Sequence, residues 1–519
     1  MQHHRFRAAM CALATLALPG IAGAETLADA LADAYAKNPR LGSARAQLRA
    51  IDETLAQAGA PYRLSASIDA STQWARQRFE NASGVYMPNR SDGTTITLSA
   101  SQLLYNGGRT AAQVSAAEAE VLGGREELRQ IENDILFEVI DAYASVLRDQ
   151  HIVAIRQRSV DAFGRQVEQS KARRRGGDLT LTDIGQAEAQ FALSQVSLDQ
   201  ARFDLQSSRV RYAVVVGRNP GPLEPTPPLP LIPQNAEDAF RQAQVLSPAL
   251  QQALLAERSA SARVAAERAE SLPVVSLNGG IGYSGPPELG GRDVGKVWNA
   301  GVNVRVPIMQ GGIVKSRVRQ AKAVREQVSF DAETTLRTVN QQVQNAWNQT
   351  VTAAIQLRSG EEAVRAASIS SEGSRKEYRE GFRSTFEVLN EEQRLLDASI
   401  IVEQARYRQI SGQAQLLAAI GNLEAGKMMT AMPIYRPGDA TKKRSKIDGS
   451  RLFEPVAKIF DATLKPSGTI KPGKPVQRAR APALQPHDLL NVETLKELKA
   501  ATLQESLPTS QPSCMQPRC

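Results

Sequence analysis

Two kinds of apolar periodicity alternate along the chain. Over residues 25–59 apolar side chains recur three and four apart, with Leu27, Leu31, Ala34 and Tyr35 on one face. That is the spacing of an amphipathic helix. Pro61 ends the pattern. Residues 64–74 and 94–100 then switch to period two, the signature of strands with two unlike faces. From Gly108 a helical pattern without proline runs to about Arg175. It would span roughly 100 Å at about 1.5 Å per residue, too long for a compact core to cover, so coiled-coil packing is expected. Gly176 and Gly177 break it, and a returning helix runs to Gly217.

The same grammar then repeats. Gly107-Gly108 returns as Gly311-Gly312 at an offset of 204 residues. Tyr143 and Trp347, Gly177 and Gly381, Asp183 and Glu387, and Gly217 and Gly421 keep that offset. Upstream, Asn38-Pro39 resembles Ser247-Pro248 and Pro61 resembles Pro273, at offsets of 209 and 212. The second half therefore predicts a helix over 234–271, strands over 275–283 and 297–306, a long helix from Gly312 to about Glu380, and a return to Gly421. The boundaries read as a first repeat over 25–220, a proline-rich linker over 221–233 and a second repeat over 234–427.

Each repeat is then a long antiparallel helical bundle with a β-hairpin at one end and a helical turn at the other. The opening and returning helices, roughly 53 and 57 Å by the same rise, would lie end to end beside the long one. The strands, near ten residues each, suit a tilted crossing of a bilayer. Trp74, Tyr105, Tyr283 and Trp298 fall in or beside them, where interfacial aromatics are expected. Four strands cannot close a barrel, and open edges are forbidden in lipid. The expected fold is therefore α+β. Copies of the chain pool strands into a transmembrane barrel continuous with a helical tunnel, and three copies would supply twelve strands.

Composition changes this picture little. Arg5 and Arg7, an apolar run over 8–21 and Ala22-Gly23-Ala24 read as a signal peptide over 1–24. No later stretch is apolar enough for a membrane helix. The net charge of +9 is misleading, since residues 428–519 alone hold 15 Lys and Arg against 8 Asp and Glu. Those residues, with 11 of the 27 prolines, read as a basic, disordered tail outside the duplicated core. Residues 25–427 are neutral, which argues against nucleic acid as a partner. Apart from Cys11 in the leader, the cysteines are Cys514 and Cys519, either free or joined in a small loop. Beyond the leader the histidines are His151 and His487 alone. No nucleophile–base pair or metal spacing is present, so neither catalysis nor a cofactor is expected.

The duplication, the Gly-Gly ends of the second strands (Leu103 to Gly108 and Pro307 to Gly312) and the hairpin turns resemble the TolC family of outer-membrane factors. The likeness covers about residues 25–423. It implies a homotrimer with a twelve-stranded barrel in outer-membrane lipid and an α-helical tunnel across the periplasm. It also implies a periplasmic adaptor and an inner-membrane ABC transporter or other pump.

The family closes its periplasmic end near the hairpin turns, Gly176, Gly177 and Gly381 here. Thr182 and Asp183 match the acceptor side of its latch, Tyr378 its tyrosine and Arg383 its arginine donor. Glu387 and Asn390 match two rings at the constriction that are often acidic, and Asn390 departs from that pattern. Gly107, Gly108, Gly311 and Gly312 stand at the strand-to-helix junctions. The expected role is the exit duct of type I protein secretion, with multidrug or metal efflux as the alternative. A soluble periplasmic coiled-coil adaptor is the rival from another class.

Overall fold

A computed structural model describes residues 24–80, 82–177, 179–285, 295–428 and 435. The leader over 1–23 and nearly all of the basic tail lie outside the described residues. Elements run in the order α1 (Leu27–Lys37), α2 (Pro39–Gly59), a 3-10 turn (Ala60–Tyr62), β1 (Ser65–Glu80), β2 (Tyr86–Tyr105), α3 (Arg109–Arg175) and α4 (Leu181–Val216). Then come α5 (Ala236–Leu246), α6 (Pro248–Ala269), β3 (Val274–Gly285), β4 (Gly295–Arg305), α7 (Ile313–Arg379), α8 (Thr385–Ile420) and the short α9 (Ala425–Met428).

The long helices α3 and α7 are 67 residues each, and α4 and α8 are 36 residues each. Both pairs begin and end at the offset of 204. Backbone conformation follows the same offset: φ is positive at Gly107 and Gly311, Gly108 and Gly312, Gly177 and Gly381, and Gly217 and Gly421.

Two expectations are corrected. The helices expected over 25–59 and 234–271 are each broken in two. A proline ring disfavours helical backbone in the residue before it. Asn38 (ψ 122°) and Ser247 (ψ 118°) are accordingly extended, and Pro39 and Pro248 restart the helix at its first position. The first hairpin is also longer than ten residues, with β1 at 16 and β2 at 20. Its outer stretch pairs Ala75 to Glu80 with Tyr86 to Ser91. Arg76, Gln77 and Arg78 carry no apolar alternation, so pattern alone could not find it.

The chain forms two compact units, each assembled from three stretches of sequence. Of the described residues, the first comprises 24–37, 138–177, 179–228 and 356–410. Its anchor is Glu25, a buried acid whose carboxylate accepts hydrogen bonds from Tyr212, Arg218 and the Gly221 amide (3.2 Å). The buried Tyr143 hydroxyl donates to the Glu25 and Glu224 carbonyls at 2.8 and 2.7 Å. Burial pushes that phenol up to about 12. Arg218 also reaches Asp33 at 2.6 Å, and the Lys37 ammonium with Arg218 holds Asp33 below its ordinary pKa.

Of the described residues, the second unit comprises 38–80, 82–137, 229–285, 295–355, 411–428 and 435. Ala236, Ala239 and Ala243 of α5, Val339, Val343, Ala346, Trp347 and Val351 of α7, and Leu416 and Ile420 of α8 pack one core. Arg129 ties the ends of α5 and α8 to α3, donating to the Leu246 and Gly421 carbonyls and pairing with Glu424 at 2.9 Å.

This unit also holds a four-stranded antiparallel sheet in the order β1-β2-β3-β4. Its register aligns side chains of one kind across all four strands. Ile68, Leu98, Ile281 and Trp298 stand opposite one another in a row. Ala66, Ala100, Gly279 and Ala300 form the next row on that face. The other face carries Ser67, Ser99, Gly280 and Asn299, and beside them Ser65, Ser101 and Asn278. Hydroxyl ladders cross it, Ser67 to Ser99 at 2.9 Å and Ser101 to Asn278 at 2.8 Å.

Gly107 and Gly108 both need left-handed backbone, with φ of 70° and 81°. A Cβ at Gly107 would also lie 2.5 Å from Leu272 Cβ, whereas Gly108 faces open space. Gly108→Ala should therefore cost only the backbone term, about 1–2 kcal/mol. Gly107→Ala adds a clash and should cost about 1–3 kcal/mol more. The difference is read from the midpoint temperatures for loss of native structure of the two variants.

Candidate functional site

The matched gate residues lie at the turns α3–α4 and α7–α8, within the first unit. Both turns are closed by the same local device. Thr180 caps α4: its hydroxyl accepts from the Asp183 amide (3.3 Å), and the Asp183 carboxylate accepts from the Thr180 amide (3.0 Å) and hydroxyl (2.7 Å). Ser384 and Glu387 repeat this at α8, with the Ser384 amide 2.9 Å from Glu387 Oε2 and the Glu387 amide 3.3 Å from Ser384 Oγ. The signal S/T-x-x-D/E stands in the sequence at both places. Cap bonds hold both carboxyls below their ordinary values. For Asp183 the main cause is the Thr180 hydroxyl, and for Glu387 the Ser384 amide.

Tyr378 is buried in the last turn of α7 and accepts from Thr385 Oγ1 at 3.3 Å. The Arg173 guanidinium lies 4.4 Å above its ring and donates to the Arg379 carbonyl at 2.8 Å. Arg383 is exposed; its Nε donates to Glu377 at 2.7 Å and its Nη1 lies 3.6 Å from Glu387. Thr182 is exposed on the first turn of α4 and Asn390 on the second turn of α8. Within one chain, then, Tyr378, Arg383 and Glu387 share one turn with Glu377 and Thr385. Asp183 is engaged by its own cap.

Behind the turns, Phe163 and Val167 of α3, Ala187 of α4 and Leu389 of α8 form a small apolar core. Glu392, half-buried against α7, takes Ser371 Oγ at 2.8 Å and pairs with Arg375. Sequence reasoning passed over Arg173 as a ring-stacking partner and over Glu392. An arginine one turn from a helix end carries no signal of what lies above or below it. Further along the same unit, His151 Nδ1 lies 2.7 Å from Glu403, and that contact raises the imidazole pKa. Among the described residues no cluster of His, Cys, Asp and Glu could hold a metal ion, and no helix is long and apolar enough to cross a membrane.

The sheet's apolar face is uncovered: Ile68, Leu98, Ile281 and Trp298 are 72, 42, 61 and 79 % exposed. A small sheet of this kind with very long paired helices in one chain defines a class, the subunits of outer-membrane channels. The chain belongs to the outer membrane efflux protein family, whose profile matches residues 30–218 and 239–422. It is 30% identical over 422 residues to outer membrane efflux protein BepC of Brucella suis biovar 1, covering 80% of this chain and 90% of that protein. It is 24% identical over 391 residues to alkaline protease secretion protein AprF of Pseudomonas aeruginosa, covering 74% of this chain and 81% of that protein. The fold matches the Campylobacter jejuni CmeC outer membrane channel with a TM-score of 0.69 at 15% identity, over 84% of this chain and 90% of that one. The protein is thus an outer-membrane efflux channel component, and the soluble adaptor alternative falls.

The two caps generate a pH expectation. Their carboxylates accept most strongly when ionised, so the cap bonds are at full strength at neutral pH. They weaken as pH falls out of the ordinary carboxylate range and through the lowered folded values. Protection of the amides at the starts of α4 and α8, relative to their intrinsic exchange rates at each pH, should therefore fall in acid. Thr180→Ala should weaken the first of these caps by about 1 kcal/mol at neutral pH. Hydrogen exchange read by mass spectrometry across residues 179–190 and 383–394 measures both effects.

Proposed function

We propose that three copies of the chain pool their strands into a twelve-stranded barrel in the outer membrane, with the helices forming a periplasmic tunnel. The observation that carries this is the sheet itself. One face is apolar and uncovered, and β1 and β4 each pair on one side only. Leaving four large apolar side chains in water forfeits roughly 1.5–3 kcal/mol each. That sum rivals the whole stability of a typical domain, about 5–15 kcal/mol. Lipid covers such a face without that loss, but lipid tolerates no open edge. Copies of the same chain supply both edges under cyclic symmetry. The apolar positions from Ala66 to Trp74 cover about 27 Å of strand, or roughly 20 Å when tilted, near the height of a barrel's apolar band. Arg76 and Asp92 follow directly, paired at 3.1 Å.

On this reading the duct ends at a gate formed by Thr182, Asp183, Tyr378 and Arg383, with Glu387 and Asn390 at its constriction. Asymmetry between the repeats supports the latch. Glu387 has a cation beside it in Arg383, whereas Leu179 stands at the position of Arg383 in the first repeat. All the hydrogen bonds described for Asp183's side chain converge on Oδ2. Oδ1 of that acid can accept Arg383 from an adjacent turn, a charge-assisted bond strong enough to hold and weak enough to release.

The duct would work with a periplasmic adaptor and an inner-membrane ABC transporter, as the exit of type I protein secretion. The likeness to AprF, a secretion protein by name, supports this. Small-molecule efflux through another pump is the second reading, favoured by the likeness to BepC. Deleting the gene should empty the culture medium of one or more secreted proteins. Unchanged secretion with increased sensitivity to drugs or metals would select efflux.

For the assembly, unboiled outer-membrane fractions should show an oligomer of three chains on denaturing gels. A monomer in the soluble fraction would reject it. For the latch, Arg383→Ser should raise single-channel conductance in planar bilayers severalfold. Unchanged conductance would sink the latch assignment.

A further inference from the structure

A cavity of about 210 Å³ lies behind the hairpin turns of the first unit, between α3, α7 and α8. Its lining includes Arg165 and Gln166 of α3, Arg375, Tyr378 and Arg379 of α7, and Glu392 of α8. Three guanidinium groups face one carboxylate, and that carboxylate is already neutralised. Arg375 and the Ser371 hydroxyl occupy both oxygens of Glu392. Among the described residues, Arg165 and Arg379 have no side-chain ion pair. The lining thus carries an excess of about two positive charges.

Gln166 is more than nine-tenths buried, and its Nε2 has no hydrogen-bond partner. An unpaired buried amide costs about 1–3 kcal/mol, so a donor left idle beside unpaired arginines is a site in want of an acceptor. The end of α7 would ordinarily repel an anion, since its last carbonyls are the negative end of the helix. Here those carbonyls are occupied. Arg173 takes Arg379 O, and the amides of Glu380, Gly381 and Phe382 take Lys376 O, Tyr378 O and Glu377 O.

We infer that this cavity binds a tetrahedral oxyanion of the phosphate class. Arg165 and Arg379 supply charge and forked donors, and Gln166 Nε2 adds a neutral one. Guanidinium forks match phosphate oxygens in pairs, and a cleft lined by one sign of charge concentrates the opposite ion. The cavity has room for inorganic phosphate or a small phosphate monoester. The bound ion would join α3 to α7 beside Tyr378 and so stiffen the helix ends at the turns.

The test uses the full-length protein purified in detergent, titrated with inorganic phosphate at constant ionic strength and followed by calorimetry and by thermal midpoint. Glycerol 3-phosphate in a parallel arm separates a phosphate monoester from the free ion. Saturable binding of either, with a rise in midpoint, is expected. The exposed pair Arg165→Ala with Arg379→Ala should weaken it at least tenfold. Gln166→Leu, which keeps the volume but removes the donor, should also weaken binding. Absence of saturable binding to the wild-type protein would overturn the proposal, as would equal binding by the double variant. Neither measurement depends on export, so their failure leaves the duct reading untouched.

Discussion

Backbone amides and carbonyls in hydrocarbon have no water to turn to, and every other feature of this chain can be ordered around that constraint. The sheet meets it internally between β1 and β2, β2 and β3, and β3 and β4, and leaves it unmet at the two outer edges. A soluble protein would cover such edges with a helix or blunt them with charge. Here the strand faces argue against that remedy, since Ile68, Ile281 and Trp298 face outward with nothing packed on them. On the proposed assembly, a sheet that can neither sit in water nor close alone is completed by copies of the same chain.

The helices obey the complementary rule. They satisfy their own backbone, so their length is limited only by packing. Helices α3 and α7 bury small and β-branched side chains at intervals rather than in one globular core. Ala332, Val339, Val343 and Ala346 on α7 are examples. Stability is then distributed along the helices. The partly buried ionic contacts at Glu25 and Arg129 fix where short segments join long ones. Such contacts specify arrangement more than they add net stability, because desolvation offsets much of their attraction.

Much of this was legible beforehand because glycine with left-handed backbone cannot easily be replaced. The pairs 107/311, 108/312, 177/381 and 217/421 are visible as letters, and each also marks a chain reversal or a helix boundary. The boundaries of α3, α4, α7 and α8 followed from them within a residue or two. Legibility failed where the signal was a conformation rather than a composition. Asn38-Pro39 and Ser247-Pro248 were visible as matching landmarks, yet the apolar spacing runs through them unbroken, and only ψ shows the break. The outer half of the first hairpin is paired backbone with charged side chains, so it carries no alternation. At the site, Thr180 and Ser384 are capping residues any helix would use. What singles out the turns is Tyr378 between Arg173 and Thr385, a contact between helix ends far apart in sequence.

The capping boxes bear on how a gate at these turns could move. A latch residue serves well when the helix that carries it does not unravel as the latch opens. Asp183 and Glu387 each commit one carboxylate oxygen to their own helix start, through Oδ2 and Oε2. The second oxygen remains for a partner, and in Glu387 it already faces Arg383. Breaking a bond to that second oxygen leaves the cap intact, so α4 and α8 could swing as rigid rods. An acid one position away would lack this division of labour. Thr182, exposed and outside the cap, has no side-chain hydrogen bond among the described residues. On the proposed latch, Asp183 is therefore the matched acceptor better suited both to hold and to release.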